Sequence, residues 1–289
     1  MRTLAIALLC GAVSARAAVN DVMPTDYFAP EPGSVTLSLY GYHRQLDGPY
    51  RNGVARTDGG GNANTLALRA SYAFTLAQRP SAFFVVDGTT HASAAGTLPA
   101  LHGSHASGRV DARLGLVHWL VADAAETRYV AATAMAILPT GDYDRRQLLN
   151  TGENRRRYVA MLGITQGLGS WVAEGALEAA WYGRNDAYPT ASGPAPLEQQ
   201  GTQAATLYLR YRSVPEWQPF VGAQMNRGGR TRIAGGDYAN AQASQRAMIG
   251  VMWRPRRLTQ VQLRYTRDTG VETGWATHPE VALRLQQSF

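Results

Sequence analysis

The chain ends in Val281-Ala282-Leu283-Arg284-Leu285-Gln286-Gln287-Ser288-Phe289, an alternating segment with an aromatic at the free carboxylate. Strand side chains alternate between faces. Val281, Leu283, Leu285 and Phe289 therefore share one face, and Ala282, Arg284, Gln286 and Ser288 share the other; Gln287 interrupts the apolar row. Such an ending suits the last strand of a bacterial outer-membrane barrel, which turns apolar residues to lipid and polar ones to a lumen. An ordinary edge strand can end this way too, so the rest of the sequence has to agree.

The other end does agree. Arg2 supplies a positive start, Leu4 to Val13 an apolar stretch too short to span a bilayer, and Ala15-Arg16-Ala17 a small-residue cleavage site. Residues 1–17 are read as a signal peptide, 18–33 as an N-terminal periplasmic segment and 34–289 as the barrel. Cys10, the single cysteine, should leave with the signal, and Leu9 before it is not the small residue a lipoprotein site needs. The mature chain is then free of disulfides.

Downstream there is no apolar run of about 18 residues, so a membrane-spanning helix is excluded. A mean hydropathy of -0.24 does not exclude a barrel, in which every second strand residue is polar. The charge of +7 comes entirely from arginine, with no lysine in the chain. These arginines are scattered singly, without a nucleic-acid-binding motif beside them, so loops and lumen are their expected places.

Period-two alternation between turn signals predicts about twelve strands, at 34–46, 63–76, 81–93, 108–121, 126–138, 156–167, 170–183, 203–213, 217–227, 243–254, 258–269 and 276–289. Short gaps alternate with long ones, as periplasmic turns alternate with external loops. The expected fold is all-β, a closed antiparallel transmembrane β-barrel of the outer-membrane type. Trp119, Trp171, Trp217 and Trp253, with Phe74 and Phe289, fall at short-turn ends; Trp181 and Trp275 fall at long-loop ends near Tyr42, Tyr158 and Tyr265. Both sets read as interfacial girdles.

Leu66, Leu68, Leu207, Leu209, Ile249 and Leu263 lie on predicted outward faces. Their alternates point inward, which assigns Arg69, Arg109, Asp111, Arg113, Glu174, Glu178, Arg210, Arg212, Arg246, Gln262, Arg264 and Arg284 to the lumen, with Asp87 added. A charge facing lipid at mid-membrane costs about 2–4 kcal/mol, which favours that choice. The charges can form a selective constriction or an ion-pair network filling a narrow barrel, and both can hold at once.

Leu138-Pro139-Thr140-Gly141-Asp142-Tyr143-Asp144, followed by Leu149-Asn150-Thr151-Gly152-Glu153-Asn154-Arg155, resembles the motif of the meta-pathway phenol-degradation family of outer-membrane proteins. Gly167-Leu168-Gly169-Ser170-Trp171 with Asn185-Asp186, and Asp26-Tyr27 with Pro32-Gly33, are similar to flanking parts of that family. After Asn154, where the family tends to carry an aromatic, this chain has Arg155-Arg156-Arg157. The resemblance implies a transporter-like barrel associated with uptake of aromatic compounds, and no catalytic residues come with it.

The Arg155–Arg157 run suits lipopolysaccharide phosphates at the membrane surface, or pairing with Asp142, Asp144 or Glu153 at a loop base. Tyr143 and Leu148-Leu149 would let this loop fold inward, the alternative to an external turn. His91, His102 and His105 flank one long loop, but only His102 with His105 comes loosely near metal-pair spacing, with no Cys or third ligand beside them. His105-Ala106-Ser107-Gly108 is loosely similar to the His-x-Ser-Asn-Gly stretch of outer-membrane phospholipase. That pair must face lipid, whereas His105 and Ser107 share the parity of the inward set; the motif's Asn is Gly108 here. The reading is a non-enzymatic channel or facilitator for small solutes, without cofactor or metal. Its partners would be outer-membrane lipid and lipopolysaccharide, the solute and the barrel-assembly machinery, not nucleic acid. An outer-membrane hydrolase and a closed structural or adhesion barrel are the alternatives.

Overall fold

A computed structural model describes residues 22–55, 59–96, 105–190 and 192–289. The expected signal peptide, Cys10 and His102 lie outside the described residues. The wall consists of β1 (Val35–Arg51), β3 (Gly60–Leu76), β4 (Arg79–Ala95), β5 (His105–Arg109) continued by β6 (Arg113–Asp123), β7 (Arg128–Ile137), β8 (Arg157–Leu168), β9 (Trp171–Tyr182), β12 (Thr202–Tyr211), β13 (Trp217–Gly228), β15 (Gln242–Arg256) and β16 (Thr259–Ser288). Outside it lie β2 (Val54–Ala55), β10 (Asn185–Tyr188), β11 (Ala195–Gln199) and β14 (Thr231–Ile233). The last three form a small external sheet in the order β10-β11-β14, in segments the sequence marks only as loops.

Each wall strand pairs antiparallel with the next, and β16 returns to β1, which closes the sheet and removes its free edges. β16 is a hairpin in itself. Residues 259–273 pair with β15 and 273–288 with β1, while Ser288 N donates to Leu258 O and Arg264 pairs with Glu280 across the fold. A barrel of 11 named strands thus makes twelve passes, matching the predicted spans.

The alternation sorts residues as expected. Leu66, Leu68, Leu207 and Ile249 are each more than half exposed on the outer wall. Trp217 stacks on Trp253 at 5.5 Å and Trp171 meets Tyr211 edge-on at 4.9 Å, forming a girdle at the short-turn ends. Tyr158, Trp181 and Tyr265 are exposed toward the opposite rim. Three aromatics depart from that scheme. Trp119, Tyr42 and Trp275 are buried, Trp119 because it points inward and donates its indole N–H to Tyr27 O at 2.8 Å.

One irregularity changes the facing of a whole segment. Thr89 pairs with Arg109 and Val86 with Arg113, so β4 spends Asp87 and Gly88 where its partner spends Val110, Asp111 and Ala112. The extra residue is a β-bulge, and it reverses the parity of everything before it. His105, Ser107 and Arg109 therefore face outward, opposite to the sequence expectation.

Candidate functional site

The periplasmic half of the lumen is filled by the N-terminus of the described chain. Residues 22–28, expected in the periplasm, lie inside the barrel, with Met23 and Tyr27 fully enclosed. The turn closes on itself through Asp26 N to Met23 O at 3.2 Å and Met23 N to Asp26 Oδ2 at 2.8 Å. The wall then satisfies its remaining polar groups. Tyr208 Oη donates to Val22 O at 2.9 Å, and Gln262 Nε2 and Arg284 Nη2 donate to Pro24 O at 2.9 and 2.8 Å. Thr25 N donates to Glu174 Oε2 at 2.6 Å, and Arg284 pairs with Asp26. Phe28 packs on Tyr129 at 4.9 Å, and a Cβ at Gly163 would overlap the Tyr27 ring. Sequence alternation found the wall side of this contact. It missed Asp26 and Tyr27, which lie outside any strand and carry no periodicity.

At the external mouth the 138–156 loop folds inward, burying Leu149, Asn150, Thr151, Glu153 and Arg155. Its motif residues have structural reasons. Ala112 N donates to Thr140 Oγ1 at 2.9 Å, while Gly141 N and Glu153 N both donate to the bulge carboxylate of Asp111, at 2.9 and 2.8 Å. A Cβ on Gly141 would come within 2.8 Å of the Gly152 Cα, so the two loop limbs meet only because both are glycine. Asn150 Oδ1 accepts from Asp144 N at 2.7 Å, and Asn154, in the left-handed region at φ 53°, donates to Asn185 Oδ1 at 2.9 Å. Arg155 and Arg157 turn inward to Glu153, at 3.1 and 3.3 Å, and leave only Arg156 of the triplet exposed. Burial by itself would raise the Glu153 carboxyl, but the Arg157 and Arg155 guanidiniums outweigh it and hold that group below the usual carboxylate range.

Against the N-terminal turn lies a chamber. Arg69 and Arg113 enter it beside Tyr27, Phe84, Met135 and Met161. The Arg69 guanidinium covers the Phe84 ring at 4.2 Å, and its Nε reaches Ser71 Oγ at 3.2 Å. Gly115 makes room for that ring, which a Cβ there would overlap.

The other assigned charges mostly form ion pairs. Arg210 meets Glu174 at 2.8 Å, Arg246 meets Asp268 at 3.1 Å and Arg264 meets Glu280 at 2.6 Å. Arg44 also pairs with Glu280. Asp268, Glu280 and Arg44 were not among the predicted residues, although each follows the inward parity of its strand. Glu178 faces inward near the mouth loop, and Arg212 braces periplasmic turns through Thr127 Oγ1 at 2.7 Å and Gly169 O at 2.8 Å.

Two assignments are corrected. Asp87 alternates outward with Phe83 and Val85, and the bulge turns Arg109 outward beside it. They form an exterior pair at 2.7 Å, where mutual neutralisation offsets the cost of leaving the lumen.

No curated protein matches the chain. The solved COG4313 outer-membrane channel from Pseudomonas putida F1 is similar at 26% identity and a TM-score of 0.87, over 93% of this chain and all of that one. The transport unit of the autotransporter AIDA-I from Escherichia coli (10% identity, TM-score 0.59, 97% of each chain) and the β domain of the Bordetella autotransporter BrkA (13%, 0.55, 90% and 100%) share the barrel fold. Residues 47–278 match the family described as "Putative MetA-pathway of phenol degradation". With most of its length matched, the chain belongs to that family of outer-membrane barrels.

Proposed function

We propose that the protein is a gated outer-membrane channel for small single-ring aromatic solutes bearing an acidic group. The observation that carries this reading is the Arg69 guanidinium held over Phe84 in a chamber lined on one side by the N-terminal turn. A cation beside an aromatic wall attracts both the ring and the charge of such a solute. Passage requires the N-terminal turn to move, and the mouth loop narrows the external entrance. In proteoliposomes, benzoate should enter faster than benzylamine, and Arg69→Gln should erase the difference. Equal rates in the parent protein would sink the reading.

A second reading has one observation behind it. Ser107 faces outward directly across from His91, which is itself across from Asn64. Because a lipid-facing serine and histidine are what an outer-membrane hydrolase needs, labelling by a fluorophosphonate that is lost in Ser107→Ala would favour that function. Absence of labelling removes it.

A further inference from the structure

The lipid-facing wall from β7 to β13 carries a groove of about 690 Å³. Its floor is made of alanines. Ala160 stands opposite Ala179, and Leu162 opposite Leu177, which in turn faces Ala205 on the next strand. Where the surrounding wall projects leucines, these small side chains leave a recess bounded by Leu162, Leu177 and Met225.

The upper end of the groove is polar. Gln203 lies beside Ala179 and opposite Arg227, one residue from the external ends of β12 and β13. Both face outward. An outward arginine is costly at mid-membrane and nearly neutral at the interface, so Arg227 belongs at headgroup level. Tyr158 and Trp181, paired across β8 and β9 two residues beyond Ala160 and Ala179, mark that same level. An apolar recess leading from the hydrocarbon region to a guanidinium at the headgroups matches the shape and charge of one lipid. A second copy of this chain is a poor match, because its convex wall would bridge the recess rather than fill it.

We propose that this groove seats one acyl chain of a phosphate-bearing outer-leaflet lipid of the lipid A type, with its phosphate held by Arg227 and Gln203. Arg227 supplies a charge-assisted, bidentate contact and the alanine floor supplies depth. The site is independent of the lumen and of what the lumen carries.

The test uses the full-length protein in nanodiscs of phosphatidylethanolamine doped with bisphosphorylated lipid A, followed by native mass spectrometry after release into detergent. One retained lipid A per barrel is expected. Arg227→Gln and the groove-filling Ala179→Phe should each lower the retained fraction about tenfold, the scale of one lost charge-assisted hydrogen bond. Ala160→Leu serves if Ala179→Phe fails to fold, and retained heat-modifiable migration verifies each barrel. The proposal is overturned if the parent protein shows no preference for lipid A, if either type of variant retains as much as the parent, or if a lipid-free dimer is the species found.

Discussion

Arg284, on the return limb of the last strand, pairs with Asp26 of the N-terminal turn, 258 positions away in sequence. The contact joins the segment that blocks the lumen to the strand that closes the barrel. Both Arg284 and its neighbour Gln262 reach the same Pro24 carbonyl, so the plug is held by charge and by backbone hydrogen bonding together.

Removing one partner of a buried ion pair costs about 3–5 kcal/mol, because the remaining charge is left uncompensated. Asp26→Asn should therefore release the plug and increase both the size and frequency of openings in a planar bilayer. Gly163→Val tests the same element without touching charge, since its side chain displaces the Tyr27 ring. Records indistinguishable from the parent protein in both variants would show that the turn does not control conduction.

The mouth loop should be acid-sensitive. Arg157 and Arg155 keep the Glu153 carboxyl below its ordinary range despite burial. A depressed carboxylate stabilises the folded loop at pH above its unfolded value and loses that contribution as pH falls through the depressed one. Labelling of a cysteine placed at Leu149, a buried loop residue, read as its rate relative to a cysteine at the exposed Arg146 so that the falling thiolate fraction cancels, should thus stay slow at neutral pH and rise in strong acid. Glu153→Gln should give fast labelling across the range. A flat profile in the parent protein would contradict the latch.

Most of the wall was legible from alternation and loop lengths, because a lipid-facing strand has little freedom in which side chains it exposes. Parity reading failed at Arg109 because a single extra residue around Asp111 reverses a strand's faces without any composition signal. Tyr27 and Asp26 were invisible as lumen residues for a different reason: they belong to an irregular turn whose partners come from distant strands. The inward fold of the 138–156 loop was open to either reading, since Gly141 and Gly152 reveal their role only when their close approach is seen.

Barrel closure and its last residue give a further prediction. A sheet without free edges resists detergent until heated, so an unboiled sample should migrate faster than a boiled one. Phe289 is exposed beyond the last ladder and donates its backbone N–H to Val35 O at 2.8 Å, at the seam between last and first strands. Phe289→Ser should lower the amount of heat-modifiable protein in the outer-membrane fraction while export across the inner membrane continues. Unchanged levels would make the terminal aromatic incidental to assembly.

Ion preference separates arginines that act on solute from those that hold the barrel. Arg210 and Arg246 each face a carboxylate, Glu174 and Asp268, at ion-pair distance. Arg210→Gln with Arg246→Gln would therefore strand two acids and should lower the temperature at which the barrel unfolds in detergent. Arg69 is placed differently, on the chamber wall over Phe84, and the nearby acid Asp26 is engaged by Arg284. In a confined pore a cation placed this way raises the local anion concentration. With the plug released by Gly163→Val, the open channel should favour anions in a salt gradient. Adding Arg69→Gln should move the reversal potential toward cations without changing heat-modifiable migration. A cation preference before that second substitution, or no movement after it, would mean that the chamber arginine packs against its aromatic wall and takes no part in selection.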